Sequence, residues 1–191
     1  MTYDLVAVGT SLGGLSALKI LLEYIPKEFP AALAIVQHRH RESDQALSAF
    51  LQKFTVLPVH EVEDKERILP GHVYFAPADY HLLVEYEHFS LSVDAPVSYA
   101  RPSIDVLLES AADIYGKRVI GVLLTGANQD GVRGLSTVQA RGGTTIVQAP
   151  DTAESPILPS AAIAALAVDW VLPLTQIAPH LIHLCGESTD K

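Results

Sequence analysis

Leu5-Val6-Ala7-Val8-Gly9-Thr10-Ser11-Leu12-Gly13-Gly14 opens the chain with an unbroken apolar run that passes into a turn of glycines around a serine. An apolar run without alternation is the pattern of a strand covered on both faces, as in a parallel sheet. Behind the glycines, Ser16-Ala17-Leu18-Lys19-Ile20-Leu21-Leu22 has helical spacing and must stop before Pro26. The first unit is therefore strand, turn, helix. The alternation recurs in a strand at Leu33–Gln37, a helix over 43–53 opened by Ser43 or Asp44, and a short strand at Val56–Val59. It continues in a helix over Ser103–Tyr115, a strand at Arg118–Leu124 and a helix after Asp130. Later strands fall at Thr144–Val147 and Val168–Val171, and later helices at Ser160–Leu166 and Gln176–Leu184. Between them, His72–Ala76, His81–Tyr86 and Phe89–Val93 are closely spaced and read as antiparallel excursions near residues 72–93. The expected fold is α/β, a doubly wound, mostly parallel sheet with flanking helices.

Composition bounds the function. A chain of 191 residues, 49% apolar and 18% charged, fits one domain spanning 1–191 with a substantial core. The net charge of -9, with no run of Lys or Arg, argues against nucleic acid as a partner. No apolar stretch is long enough to insert into a membrane. The first strand begins too early to leave room for a signal peptide, and the lone Cys185 excludes an internal disulfide. A cytoplasmic location is expected.

Ser11, His38 and Asp130 each fall at or just beyond the carboxyl end of an apolar run: Leu5–Val8, Leu33–Gln37 and Val119–Leu124. That edge of an open α/β sheet is where ligand sites form. A nucleophile, a base and a carboxylate gathered there suit a serine hydrolase. Each residue also has a plainer reading. Ser11 can cap a helix, His38 can be a structural histidine at a strand end, and Asp130 can be the N-cap of a helix beginning at Gly131.

The glycine loop has two further readings. As a dinucleotide fingerprint, G-x-G-x-x-G, it carries Ser11 where the middle glycine belongs, and Gln37-His38 where an acidic residue would hold the ribose. Both departures count against a nucleotide, and no cofactor is expected. As a nucleophile elbow, Gly9-Thr10-Ser11-Leu12-Gly13 fits G-x-S-x-G. Yet the order Ser, His, Asp and the single strand upstream are not those of an α/β-hydrolase. His38, His40 and Asp44 match no strong metal pattern, so no metal is expected. His60, His72, His81, His88, His180 and His183 show no clustering, with a surface position the default for His81 and His88. Arg39, Arg41, Arg101 and Arg133 lie near the expected mouth and either steer an acidic partner or are ordinary surface arginines.

Five blocks resemble the catalytic domain of the chemotaxis protein-glutamate methylesterases, the CheB family. They are Val6–Gly14, Val36-Gln37-His38, the stretch Glu63–Pro77, Arg101-Pro102-Ser103-Ile104-Asp105-Val106-Leu107, and Leu124-Thr125-Gly126 through Asp130-Gly131. They occur in the family's order. The resemblance implies a doubly wound domain with Ser11, His38 and Asp130 as its triad. It implies hydrolysis of glutamyl γ-methyl esters on a methylated chemoreceptor with release of methanol, and also deamidation of receptor glutamines. Backbone N–H groups of Leu12 and Ala127 are the expected oxyanion hole and substrate contacts.

The chain departs from the family pattern in places. Leu12 stands for a threonine, and Gly-Met-Gly-Asn-Asp-Gly becomes Gly126-Ala127-Asn128-Gln129-Asp130-Gly131. The Met-Pro after the histidine is missing from Arg39-His40-Arg41-Glu42, and the loop Ser155–Ser160 matches only loosely. These changes keep open a docking module with a weakened site, and a hydrolase of small esters or amides. The family also carries an N-terminal receiver domain that blocks the site, and no receiver sequence is present here. A regulatory receiver acting in trans and a chain cut from a longer protein are both compatible with that.

Overall fold

The computed structural model describes residues 3–38 and 46–186. In chain order the strands are β1 (Leu5–Thr10), β2 (Ala32–Gln37), β3 (Val59–Glu61), β4 (Val73–Phe75), β5 (His81–Val84), β6 (Phe89–Ser92), β7 (Val119–Leu123), β8 (Thr144–Gln148) and β9 (Trp170–Leu172). The helices are α1 (Gly14–Glu23), α2 (Ala46–Leu51), α3 (Ile104–Tyr115), α4 (Val132–Ala140), α5 (Ile157–Ala165) and α6 (Leu174–Gly186). Seven strands form one sheet in the order β3-β4-β2-β1-β7-β8-β9, and every pairing in it is parallel. β5 and β6 make a separate antiparallel hairpin.

The unbroken run of β1 has its explanation in the two faces of that sheet. Leu5 and Ala7 pack into a core with Leu107 and Leu108 of α3, Leu135 of α4 and Leu158 of α5. Val6 and Val8 point the other way, into a core with Leu18, Leu21 and Leu22 of α1 and Leu181 of α6. The alternation of side chains along a strand thus feeds both layers. These leucines are 0% exposed, and each contributes about 1.5–3 kcal/mol by leaving water.

Three expectations change. Val73–Phe75, read as antiparallel, is a parallel strand between β2 and β3. Only three residues pair there, too few to distinguish a core strand from the neighbouring hairpin by periodicity. The strand expected at Val56–Val59 lies at Val59–Glu61, and Val56 is exposed. The helix expected over 43–53 is described from Ala46 to Leu51 and tightens into a 3₁₀ turn at Gln52–Phe54. Its expected caps, Ser43 and Asp44, lie outside the described residues. No helix of the described residues is long and apolar enough to cross a membrane.

Sheet order puts the site at β1. The chain leaves β1 to pair on one side with β2 and on the other with β7, so the crossover direction reverses there. In such sheets the crevice opens outside the carboxyl ends of the strands at that point. Ser11, His38 and Asp130 follow β1, β2 and β7.

Candidate active site

The serine loop is held from three sides. The Ser11 N–H donates to Thr125 O at 3.0 Å, and the Gly14 N–H donates back to Ser11 O at 2.9 Å. Gln37 Nε2 donates to Ser11 O at 2.8 Å and to His38 O at 2.9 Å, tying the ends of β1 and β2 together. Thr125 Oγ1 donates to Leu12 O at 2.8 Å. The N-cap of α1 is Gly13, at φ 80°, with no side-chain cap. A β-carbon there would be strained by φ and would also stand 2.6 Å from Glu154 Cβ. Ser11 is therefore not a helix cap. Its Oγ has no hydrogen-bond partner among the described residues.

His38 and Asp130 meet. Nε2 of the imidazole stands 2.7 Å from Oδ2 of Asp130, whose side chain is 0% exposed. The same carboxylate accepts from Ser103 Oγ at 2.7 Å and from the N–H groups of Ile104 at 2.7 Å and Asp105 at 3.1 Å. These amides are free donors at the start of α3, where a negative charge is also favoured by the helix dipole. Burial pushes the Asp130 carboxyl up. Hydrogen bonds from His38, the Ile104 amide and Ser103 outweigh it and hold the group below the usual carboxylate range. An ionised carboxylate only accepts, so Nε2 of His38 carries a proton. In the neutral ring, Nδ1 then holds the lone pair.

Asp130 does not cap the helix that follows it. The N-cap of α4 is Gly131, at φ 110°, and the carboxylate that serves α4 comes from Asp105. Asp105 Oδ1 accepts from Gly131 N at 2.9 Å and Gly134 N at 2.8 Å. Burial pushes the Asp105 carboxyl up, against those two amides, and the charge of Asp130 adds to the rise.

Ser11 and His38 line a cleft of about 670 Å³ together with Asp79, Tyr99, Arg101 and Asn128. Leu12, 55% exposed, lies with Ser11, His38 and Glu154 on an adjoining groove. The backbone N–H groups of Leu12 and Ala127 donate to no acceptor among the described residues. Arg101 is committed to Asp79, through Nε at 3.0 Å and Nη2 at 2.7 Å, and Arg133 to Glu109 at 2.6 Å. Neither is a free steering charge, while Arg39 and Arg41 lie outside the described residues. Among the described residues no group of histidine, cysteine and carboxylate side chains is arranged to hold a metal, and His40 and Asp44 lie outside them.

The CheB methylesterase family model matches residues 6–181. The chain belongs to the CheB methylesterase family. A candidate protein-glutamate methylesterase/protein-glutamine glutaminase of Leptospira interrogans is 44% identical over 100% of both chains. The Myxococcus xanthus protein-glutamate methylesterase FrzG is 42% identical over 95% of this chain and 54% of its own length. The chain thus spans the whole of one relative and about half of the other. The crystal structure of the Thermotoga maritima CheB methylesterase catalytic domain superposes with a TM-score of 0.93 at 34% identity, covering 96% of this chain and 100% of that one.

Several supporting residues escaped the sequence reading. Ser103 and Asp105 lie in a block whose order resembles the family, yet spacing alone assigns them no partner; the fold brings both to Asp130. His81, expected at the surface, is 2% exposed. It accepts the Ser103 N–H at Nδ1, 3.2 Å away, and pairs through Nε2 with Ala95 O. His60 and His72, read as unclustered, stand 2.9 Å apart because β3 and β4 are adjacent, an adjacency the misread β4 concealed. In the stretch Glu63–Pro77, Tyr74 clamps a loop by donating to Arg67 O and accepting from Leu69 N.

Proposed function

We propose that this family member hydrolyses glutamyl γ-methyl esters on a cytoplasmic segment of a methylated chemoreceptor, with Ser11 as nucleophile, His38 as base and Asp130 as its orienting carboxylate. The observation that carries the reading is the 2.7 Å pair between His38 Nε2 and buried Asp130, beside Ser11 in one cleft at the switch point of the sheet. The relatives' names, protein-glutamate methylesterase and protein-glutamine glutaminase, supply the substrate class.

Ser11 Oγ bonds to the ester carbonyl carbon as its proton passes to His38 Nδ1 and the carbonyl electron pair moves onto oxygen. Asp130 stabilises the imidazolium through Nε2. The oxyanion is received by the N–H groups of Leu12 and Ala127, which have no other acceptor among the described residues. Collapse breaks the bond to methoxide, which takes the Nδ1 proton and leaves as methanol. Water, activated by the same nitrogen, then cleaves the acyl-serine and returns the proton to Oγ. A glutamine side chain enters the same path with ammonia as leaving group.

Fluorophosphonate labelling tests the assignment. Ser11 becomes phosphonylated in the native protein and is protected when His38 is replaced by Ala. Labelling that falls on another residue, or that ignores His38, contradicts it. A docking module with a dead site would take no label.

A further inference from the structure

Asn128 touches the proposed base and has no part in the hydrolysis just described. Its amide Nδ2 stands 3.2 Å from His38 Nδ1. Because Asp130 holds the other ring nitrogen, Nδ1 is the one atom through which His38 can take a proton from Ser11. The orientation of the amide is set by its far end, where Asn128 Oδ1 accepts the Asp130 N–H at 3.3 Å. The end facing the ring is therefore the NH₂ group, which only donates.

An imidazole nitrogen has a single lone pair in the ring plane. While it accepts from Asn128 it cannot accept from Ser11. Ser11 Oγ is accordingly without a partner among the described residues, although Ser11 and His38 line the same cleft. We propose that Asn128 is a positioning residue that holds His38 at rest by occupying Nδ1, and that ester attack begins when Ser11 takes its place. This rests on the triad reading given above.

The exchange is easy in one direction and enforced in the other. The Asn128 contact is long and joins two neutral groups, so it is a weak competitor for the lone pair. Once Nδ1 has gained the serine proton, two donors face each other, and the amide must stay withdrawn until that proton leaves. Asn128 also lines, with Tyr99, both the cleft holding Ser11 and the neighbouring groove that runs to Arg133. A substrate segment lying across both meets the side chain that has to move.

The test compares the full chain with its Asn128→Gly and Asn128→Asp variants, by the rate of fluorophosphonate labelling at Ser11 and by the ¹⁵N resonance of His38 Nδ1. Asn128→Gly should label roughly three- to tenfold faster than the native chain, the loss of one weak competing hydrogen bond. Its Nδ1 resonance should move from that of a hydrogen-bond acceptor toward that of a bare lone pair. Asn128→Asp should label more slowly, because a carboxylate only accepts and so favours a proton on Nδ1. A residue that merely braces the loop would slow the reaction in both variants. If the native chain is labelled but Asn128→Gly is no faster, or if Nδ1 resonates alike in both, the proposal is overturned and the triad stands. If neither the native chain nor any variant is labelled, the triad itself falls, and the Nδ1 resonance still decides whether Asn128 occupies that nitrogen.

Discussion

Asp105 and Asp130 cap each other's helices. Asp130, just ahead of α4, accepts the first amides of α3, and Asp105, in the first turn of α3, accepts the Gly131 and Gly134 amides of α4. The exchange fastens two helices at their N-termini and fixes the carboxylate behind His38. It has an electrostatic consequence, because two buried carboxyls sit side by side and respond in opposite directions. Asp130, rich in donors, is held below the usual range, and Asp105, dominated by burial, is pushed above it.

Those opposite shifts predict opposite pH behaviour. The depressed Asp130 contributes stability that is present above the unfolded carboxylate value of about 3.9 and disappears as pH falls through its lower folded value. The elevated Asp105 opposes folding once pH rises past the unfolded value, and acidification relieves it. At pH 7, Asp130→Asn should therefore cost about 1.5–3 kcal/mol, the range for hydrogen bonds to a charge, and Asp105→Asn clearly less. The gap should narrow below pH 4. Urea unfolding at several pH values measures it.

Ser103 serves Asp130 and α3 together, since its Oγ donates to Asp130 and, as N-cap, accepts the Val106 N–H at 3.5 Å. Ser103→Ala should lose about 1 kcal/mol of stability, an ordinary capping loss. It should also lower ester turnover, because the carboxylate behind His38 loses a donor. Thermal unfolding alongside turnover separates the two effects.

Gly131 is required by its backbone. At φ 110°, an added β-carbon would also stand 2.6 Å from Ile104 Cγ2. Gly131→Ala should destabilise by about 1–3 kcal/mol and shift Asp130 with it. A melting temperature equal to that of the native chain would contradict this placement.

Thr125 links the loops that follow β1, β7 and β8. Its Oγ1 donates to Leu12 O and accepts the Ser155 N–H, and its carbonyl receives the Ser11 N–H. Thr125→Val keeps the shape and removes the hydroxyl, leaving a buried amide unpaired at a cost of about 1–3 kcal/mol. Fluorophosphonate labelling of Ser11 should slow along with the fall in stability.

The parts of this molecule legible from sequence are those with one cause. β1 and β7 are buried on both faces, and their short unbroken apolar runs, bounded by turn residues and followed by helical spacing, read as strands of a parallel sheet. Ser11, His38 and Asp130 are candidates because each lies at or just beyond the carboxyl end of such a run. What stayed hidden depends on pairs formed by the fold. β4 is three residues long and reads like the hairpin beside it. Asp130 could equally be read as the cap of the helix it precedes, since chain proximity cannot reveal that α3 offers it donors. His81 sits on a strand whose buried face is set only by its packing on α3. Asn128 carries no chemical mark in the sequence, and its role comes from an imidazole ninety residues earlier in the chain.

Methanol released from a methylated chemoreceptor, native chain against Ser11→Ala, tests hydrolysis through Ser11 most directly. The native chain should liberate it steadily, and Ser11→Ala should fall by several orders of magnitude, as for other enzymes whose nucleophile is removed. Equal release by both would show that another group performs the chemistry.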